Sequence, residues 1–189
     1  MVQFLRLLPL SLVSFLPFSS SLLSQERLGL QSAGDAALSR YETAVSTLQT
    51  RFFNSTSGTW PSGIDWTRAV LGTHLAASTS TLTKPNVVLA NAFFDELVLF
   101  FHGQDVASLE TQAYDDILWV SLNWLEAVQA IDHRLSLGVY YGSQWRQAFA
   151  DRAKEFWELG NRGWDENLCD GGMVWSPVLA APVPSLVHR

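Results

Sequence analysis

The sequence predicts an all-α fold built from nested helical hairpins. Apolar residues recur at helical spacing in five segments, and loops rich in Gly, Pro, Ser and Thr separate these segments. The fourth segment is apolar nearly all the way round, which is typical of a helix buried on every side, whereas the fifth is amphipathic. Alternation of the two kinds indicates an inner and an outer layer of helices. No segment alternates strongly enough to predict a sheet.

The five predicted helices span about residues 36–53, 65–77, 86–102, 114–131 and 143–159. Asp35 is placed to cap the first helix, and Gly103 is placed to end the third. The fourth helix contains the apolar run ILWVSLNWL at residues 117–125. The fifth helix is expected to turn one set of side chains inward, namely Ala148, Ala153, Phe156, Trp157 and Leu159.

Residues 1–24 are predicted to be a signal peptide. Arg6 supplies positive charge, and the apolar run 7–18 has the length of a secretory core but is too short to span a bilayer. The alternative is a buried first helix. Asn54 begins an Asn-Ser-Thr triplet, a glycosylation acceptor pattern. Both features predict a secreted, extracellular protein. No later stretch predicts a membrane span.

The net charge of the chain and the positions of its His and Cys residues limit the kinds of molecule that it is expected to bind. The 189-residue chain has a formal net charge of −6 and no run of basic residues, so it is expected to repel nucleic acid. The four His residues and the single Cys169 show no metal-ligand spacing, and we predict neither a metal site nor a cofactor. Cys169 is a free thiol, a buried small hydrophobic residue, or half of a disulfide whose partner is missing.

Asp115 and Asp116 are adjacent carboxylates at the predicted start of the fourth helix. A helix N-terminus favours an ionised carboxylate, and two neighbouring carboxylates resist ionising together. One can then remain an anion while the other remains an acid, the division of roles that glycoside hydrolysis needs. Asp is also common in first turns as a cap. The flanking Tyr114 and Trp119 favour the catalytic interpretation, because they place the pair beside aromatic rings.

Several tryptophans and acids lie at or near loops. Exposed aromatic faces can stack on sugars, and nearby carboxylates can accept hydrogen bonds from sugar hydroxyls, but the same residues can be core packing, caps or turns. The candidates are Trp60, Asp65, Trp66, Trp164, Asp165 and Trp175.

Several segments together resemble glycoside hydrolase family 76, the α-1,6-mannanase family, in its fungal form. Residues 114–127, YDDILWVSLNWLEA, are similar to the family's paired aspartates followed by an aromatic-rich inner helix. Residues 163–165, GWD, and 169–175, CDGGMVW, are similar to its Gly-Trp-Asp turn and Gly-Gly-x-x-Trp element. Residues 64–67, IDWT, resemble the start of an early inner helix. The resemblance covers residues 36–175.

The resemblance implies a partial (α/α)6 barrel, with residues 30–176 forming about two and a half of six helical hairpins of the catalytic domain. It implies endo-acting hydrolysis of α-1,6-mannose linkages with retention of configuration and no metal, or a related cell-wall transglycosidase. The partner would be α-mannan or a mannose-containing cell-wall glycan. Asp115 would be the nucleophile and Asp116 the general acid/base. The implied substrate-binding residues are Asp65, Trp66, Tyr114, Trp119, Trp164, Asp165 and Trp175.

The Pro-rich tail, residues 177–189, departs from the family, whose complete barrel is about twice as long as this chain. We therefore expect inner helices exposed on one side, poor folding and little activity. At about 25 cal/mol per Å2, a few hundred Å2 of apolar surface left in water forgoes several kcal/mol. A missing half would also explain an unpaired Cys169. The alternatives are a non-catalytic carbohydrate-binding remnant and a helical interaction protein.

Overall fold

Six α-helices make up most of residues 20–167 and 170–176, the part of the chain that the computed structural model describes. Side chains are described from residue 31 onward, apart from Asp65. The predicted all-α class is confirmed. The helices are α1 (Ser20–Phe52), α2 (Asp65–Thr81), α3 (Val87–Gly103), α4 (Val106–Leu109), α5 (Tyr114–Ser136) and α6 (Arg146–Asn161). A 3-10 turn at Ser143–Trp145 leads into α6, and the antiparallel strands β1 (Trp164–Asp165) and β2 (Gly172–Met173) follow it.

The chain divides into two compact units, Met1–Ala44 and Val45–Arg189, and the contacts described below lie within the second. Residues 1–19 of the predicted signal peptide lie outside the described residues, and residues 20–24 belong to α1. The predicted tail, residues 177–189, and Cys169 also lie outside the described residues.

Three helices, α1, α2 and α5, are longer than the apolar pattern predicts. α1 begins at Ser20 and not near residue 36, so Asp35 lies inside the helix and the prediction that it caps the helix is wrong. Residues 20–35 contain no proline and are rich in Leu, Gln and other residues that favour helix. The fourth predicted helix runs on to Ser136. The sequence pattern does not predict α4 or the β1–β2 hairpin.

Two antiparallel helical hairpins build the second unit. A short turn at residues 82–86 joins α2 to α3. In the second hairpin, Ser121 Oγ of α5 donates to Ala153 O of α6 at 2.9 Å. Earlier in α5, Leu118 lies against Gly160, which is later in α6. Earlier residues of α5 thus contact later residues of α6, so the two helices are antiparallel.

The first helices of the two hairpins, α2 and α5, pack against each other in parallel. Gly72 lies against Asn123, and further along Ser80 Oγ is 3.0 Å from His133 Nδ1. Gly72 allows this close approach, because a Cβ there would lie 2.6 Å from Phe100 Cε1 and closer still to Asn123 Oδ1. Since the partner numbers rise together, both helices begin at the same end of the unit.

Aromatic rings from different elements form the core. The ring centroids of Trp60 and Phe100 are 5.0 Å apart, those of Phe100 and Trp124 are 5.6 Å apart, and those of Trp124 and Phe149 are 4.9 Å apart. All four side chains are fully buried, so Trp60 is a core residue and not a sugar platform. The Trp124 indole N–H is also satisfied, because it donates to Gln104 Oε1 at 3.0 Å. These rings join the two hairpins through their interior.

A buried arginine joins the hairpins at the end opposite the starts of α2 and α5. Arg134 Nη1 donates to Thr79 O at 3.2 Å and to Thr83 Oγ1 at 3.1 Å, and its Nη2 donates to Asn91 Oδ1. Burial lowers the pKa of this guanidinium from its ordinary value. Thr79 lies in the last turn of α2, where the negative end of the helix dipole favours a cation.

One side of α5 is exposed, so the prediction that this helix is buried on all sides is wrong. Trp119, Leu122 and Leu125 are 41%, 50% and 45% exposed and lie on one side of the helix. In the described part of the chain, α2 and α6 are the extensive packing partners of α5, and the two helices leave this side open. Trp157, predicted to face inward from the fifth helix, is also exposed.

Candidate functional site

The predicted catalytic pair occupies the first turn of α5. Ala113 is the N-cap residue, and its side chain makes no capping hydrogen bond. Asp115 Oδ1 accepts from Asp116 N at 3.0 Å, which satisfies one of the amide groups left open at a helix start. Asp115 is exposed and Asp116 is half-buried. The positive end of the helix dipole favours negative charge at both positions.

The C-terminal segment of the described chain meets the start of α5 directly. Tyr114 N donates to Trp175 O at 2.8 Å, and Val174 N donates to Gly163 O at 2.8 Å. The Tyr114 ring is buried against Gly163, where a Cβ would lie 2.6 Å from Tyr114 Cγ. Two of the segments that carry the family resemblance, about fifty residues apart in sequence, therefore touch each other.

The β1–β2 hairpin holds two of the predicted sugar-contacting residues. Trp164 pairs with Met173 across the hairpin, and Asp165 Oδ1 accepts from Asn167 N at 2.8 Å. This bond is a local turn contact of Asp165. The Trp164 and Trp175 indoles are exposed, so this end of the unit presents aromatic surface to solvent.

The parallel packing brings the start of α2 to the same end. Gly72 contacts Asn123, which is 51 residues later in the sequence, and Ser80 contacts His133, which is 53 residues later. Trp66 is thus level with residues 117–119 of α5, and both Trp66 and Trp119 are exposed. Packed helices lie about 8–10 Å apart, so the backbones of these residues are near neighbours. The side chain of Asp65 is outside the described set, although its backbone begins α2.

The arrangement is an open surface at one end of the unit. Four surface depressions among the described residues are lined by side chains other than those of Asp115 and Asp116. Two parallel helices direct their positive dipole ends toward the same surface, which favours carboxylates and developing negative charge there. Carboxylates beside exposed indoles can bind the hydroxyl groups and the C–H face of a sugar and can exchange protons with it.

Asn54, the predicted glycosylation position, lies in an exposed turn. Its Oδ1 accepts from Thr56 N at 2.9 Å and from Ser57 N at 3.2 Å. The residue is exposed, so its surroundings are open to solvent. Glycosylation at Asn54 stays a prediction.

Sequence reasoning missed Glu96 of α3. Its Oε2 atom is buried without a hydrogen-bond partner in the described residues. Burial raises the pKa of Glu96 to about 7. Because α3 runs antiparallel to α2, Glu96 lies near the middle of that hairpin, away from the starts of α2 and α5. The only sequence feature that could have indicated it is an acid within the apolar run of α3.

No cluster of three or more His, Cys, Asp or Glu side chains that could hold a metal ion occurs in the described residues. None of the helices described combines the length and apolar character that crossing a membrane requires. Comparisons of the chain with protein-family models, with curated proteins and with solved structures yield no match.

Proposed function

We propose that this chain is a glycoside hydrolase of the family 76 type that acts on α-1,6-linked mannose, with Asp115 and Asp116 as its catalytic carboxylates. One observation carries the proposal: the segments that resemble the family converge at one end of the unit. The paired aspartates, the start of α2 and the segment ending at Trp175 come together there, although they are far apart in sequence. A binding surface for one substrate requires such convergence.

The same proposal includes the finer fold. We assign α2 and α5 to the inner layer and α3 and α6 to the outer layer of part of an (α/α)6 barrel. Parallel inner helices, each followed by an antiparallel outer helix, support this assignment. The exposed side of α5 at Trp119, Leu122 and Leu125 would then face the barrel interior.

The proposed reaction retains configuration at the sugar carbon. The Asp115 carboxylate attacks the anomeric carbon while Asp116 gives its proton to the leaving oxygen. Asp116 then takes a proton from water, which displaces the Asp115 ester and regenerates the enzyme. The neighbouring sugars would be held by the exposed indoles of Trp66, Trp119, Trp164 and Trp175. The substrate is a mannan or mannose-containing glycan outside the cell, where a chain with a cleaved signal peptide and a glycan at Asn54 would act.

Substitution of the two aspartates by asparagine tests whether they act in catalysis or only stabilise the start of α5. Asn has the size and shape of Asp, and its side-chain oxygen at position 115 can still accept from the backbone N–H at position 116, so Asp115→Asn and Asp116→Asn should leave folding intact. We expect each to lower the release of reducing ends from α-1,6-mannan by about 100-fold or more, while mannan binding persists. Asp105→Asn is the matched control, because Asp105 Oδ1 caps α4 by accepting from Ser108 N at 3.2 Å. Turnover that survives both substitutions would exclude these residues as the catalytic pair.

Two observations favour other functions. The open site and the local bond between Asp115 and Asp116 N suit a carbohydrate-binding protein without turnover, for which wild-type chain and both Asn variants bind mannan equally and hydrolyse none. The exposed side of α5 suits a helical interaction protein. Light scattering across a concentration series tests that function, since self-association through this side would raise the apparent mass.

A further inference from the structure

A second candidate site lies in a groove between α3 and the loop that joins α5 to α6. The groove encloses about 360 Å3 and is lined by Phe94, Asp95, Val98, Leu99, Tyr141, Gly142, Gln144 and Trp145. Its wall on α3 lies around the middle of that helix, and its lining includes neither Asp115, Asp116 nor any other residue at the start of α5. The groove is therefore distinct from the proposed catalytic surface.

The walls of the groove are fixed in place. Tyr141 Oη donates to Asp95 Oδ1 at 2.6 Å, and the Tyr141 ring meets Phe94 edge-on, with centroids 6.2 Å apart. Gly142 has a φ of 88°, and a Cβ there would lie 2.8 Å from Phe94 Cε2 and closer to Cε1 and Cζ of that ring. Trp145 stacks on the buried Phe149 at 5.8 Å. Little ordering of the protein would accompany binding, which favours affinity.

The lining selects a ligand that is apolar on one face and polar at its rim. A wholly apolar ligand would remove the Asp95 carboxylate and the Gln144 amide from water without replacing their hydrogen bonds, which is unfavourable. A cationic ligand is disfavoured as well. The Arg134 guanidinium lies 5.9 Å from the centre of the Phe94 ring that forms one wall, so a positive charge close behind this wall opposes a bound cation. The local balance of charge therefore suits a neutral ligand.

We propose that this groove binds a pyranose unit of a neutral carbohydrate. The Tyr141 and Trp145 rings would contact the C–H face of the sugar. Asp95 and Gln144 would hydrogen-bond its hydroxyl groups. The inference is independent of the proposed hydrolysis, because it uses none of the residues at the start of α5.

The experiment is a titration of the full chain with mannotriose and, separately, with cellotriose, followed by the NMR signal of the Trp145 indole N–H. Tetramethylammonium serves as the cationic probe. We expect at least one trisaccharide to shift the Trp145 signal saturably, and tetramethylammonium to leave it unchanged. Tyr141→Ala should weaken trisaccharide binding about tenfold, the loss of one stacking contact. Tyr140→Ala is the matched control, since Tyr140 is a 72% exposed neighbour outside the groove lining and should bind like wild type.

A second variant keeps the test decisive if Tyr141→Ala unfolds. Leu99→Arg adds bulk to an exposed wall residue of α3 without opening the core and should abolish the shift. Asp115→Asn should bind as wild type does, which separates this site from the proposed catalytic surface. Absence of any shift with both sugars, a shift with tetramethylammonium alone, or sugar binding that survives Leu99→Arg would each overturn the proposal.

Discussion

Substitution of Gly72 by Ala probes the parallel contact on which the convergence of the candidate site depends. The added methyl would lie 2.6 Å from Phe100 Cε1 and closer to Asn123 Oδ1, and both neighbours are buried and cannot swing away. Overpacking of this kind costs about 1–3 kcal/mol. Ala is favoured over Gly inside a helix by about 1 kcal/mol, which offsets part of the loss.

Gly34→Ala is the matched control, because Gly34 is also helical and a Cβ there meets nothing within 4 Å. Subtracting the change in unfolding free energy of Gly34→Ala from that of Gly72→Ala cancels the gain in helix propensity. A packing loss of about 1–3 kcal/mol remains. Urea unfolding followed by circular dichroism measures both free energies of unfolding. Asn123→Ala should remove the contact with Oδ1 while the contact with Phe100 remains, so the double variant with Gly72→Ala should be more stable than the two single changes predict together. Equal stabilities for Gly72→Ala and Gly34→Ala would refute the packing geometry.

Three further predictions follow from individual side chains. Burial raises the pKa of Glu96 from 4.5 to about 7, so the folded chain keeps a proton that the unfolded chain releases between these values. Stability should therefore fall as pH rises through that window, by about 1–2 kcal/mol because solvent screens this partly exposed carboxyl, and Glu96→Gln should flatten this part of a pH series of urea midpoints. Arg134→Met should cost about 2–4 kcal/mol in the same assay by leaving buried acceptors unpaired, whereas Arg146→Met, at an exposed ion pair, should unfold like wild type. Gly163→Ala should displace the Tyr114 ring, and hydrogen exchange should show faster loss of the Tyr114 amide proton; unchanged protection would contradict the contact with the C-terminal segment.

The sequence pattern predicts helix positions well where apolar residues face a core. α2, α3 and α5 begin within a residue of their predicted starts, because loop residues and caps such as Asn86 mark them. The pattern fails for the first half of α1, where the predicted cap lies within the helix. It also fails for the exposed side of α5. Hydrophobicity indicates that a side chain can be buried, but burial depends on which helices are present to cover it.

The candidate site, too, could be predicted from the sequence only in part. The position of Asp115 and Asp116 in a first turn follows from the sequence, because capping and dipole preferences act within a few residues. Their contact with the C-terminal segment depends on Gly163, whose missing side chain makes room for the Tyr114 ring. Glycine has several possible structural roles, so its presence in the sequence does not specify this one. The groove at Tyr141 is harder still to foresee, since α3 and the α5–α6 loop supply its walls separately.

The alignment of Trp66 with Trp119 depends on the register between α2 and α5, and apolar packing alone fixes such a register weakly. Helices can slide by one turn, about 5.4 Å, and still present apolar residues to each other. Arg134 removes that freedom. Its planar guanidinium donates to Thr79 at the end of α2, to Thr83 in the turn that follows, and to Asn91 in α3. A one-turn slip would leave a buried cation without these acceptors. The buried charge at one end of α5 thereby determines which side chains meet at the other end.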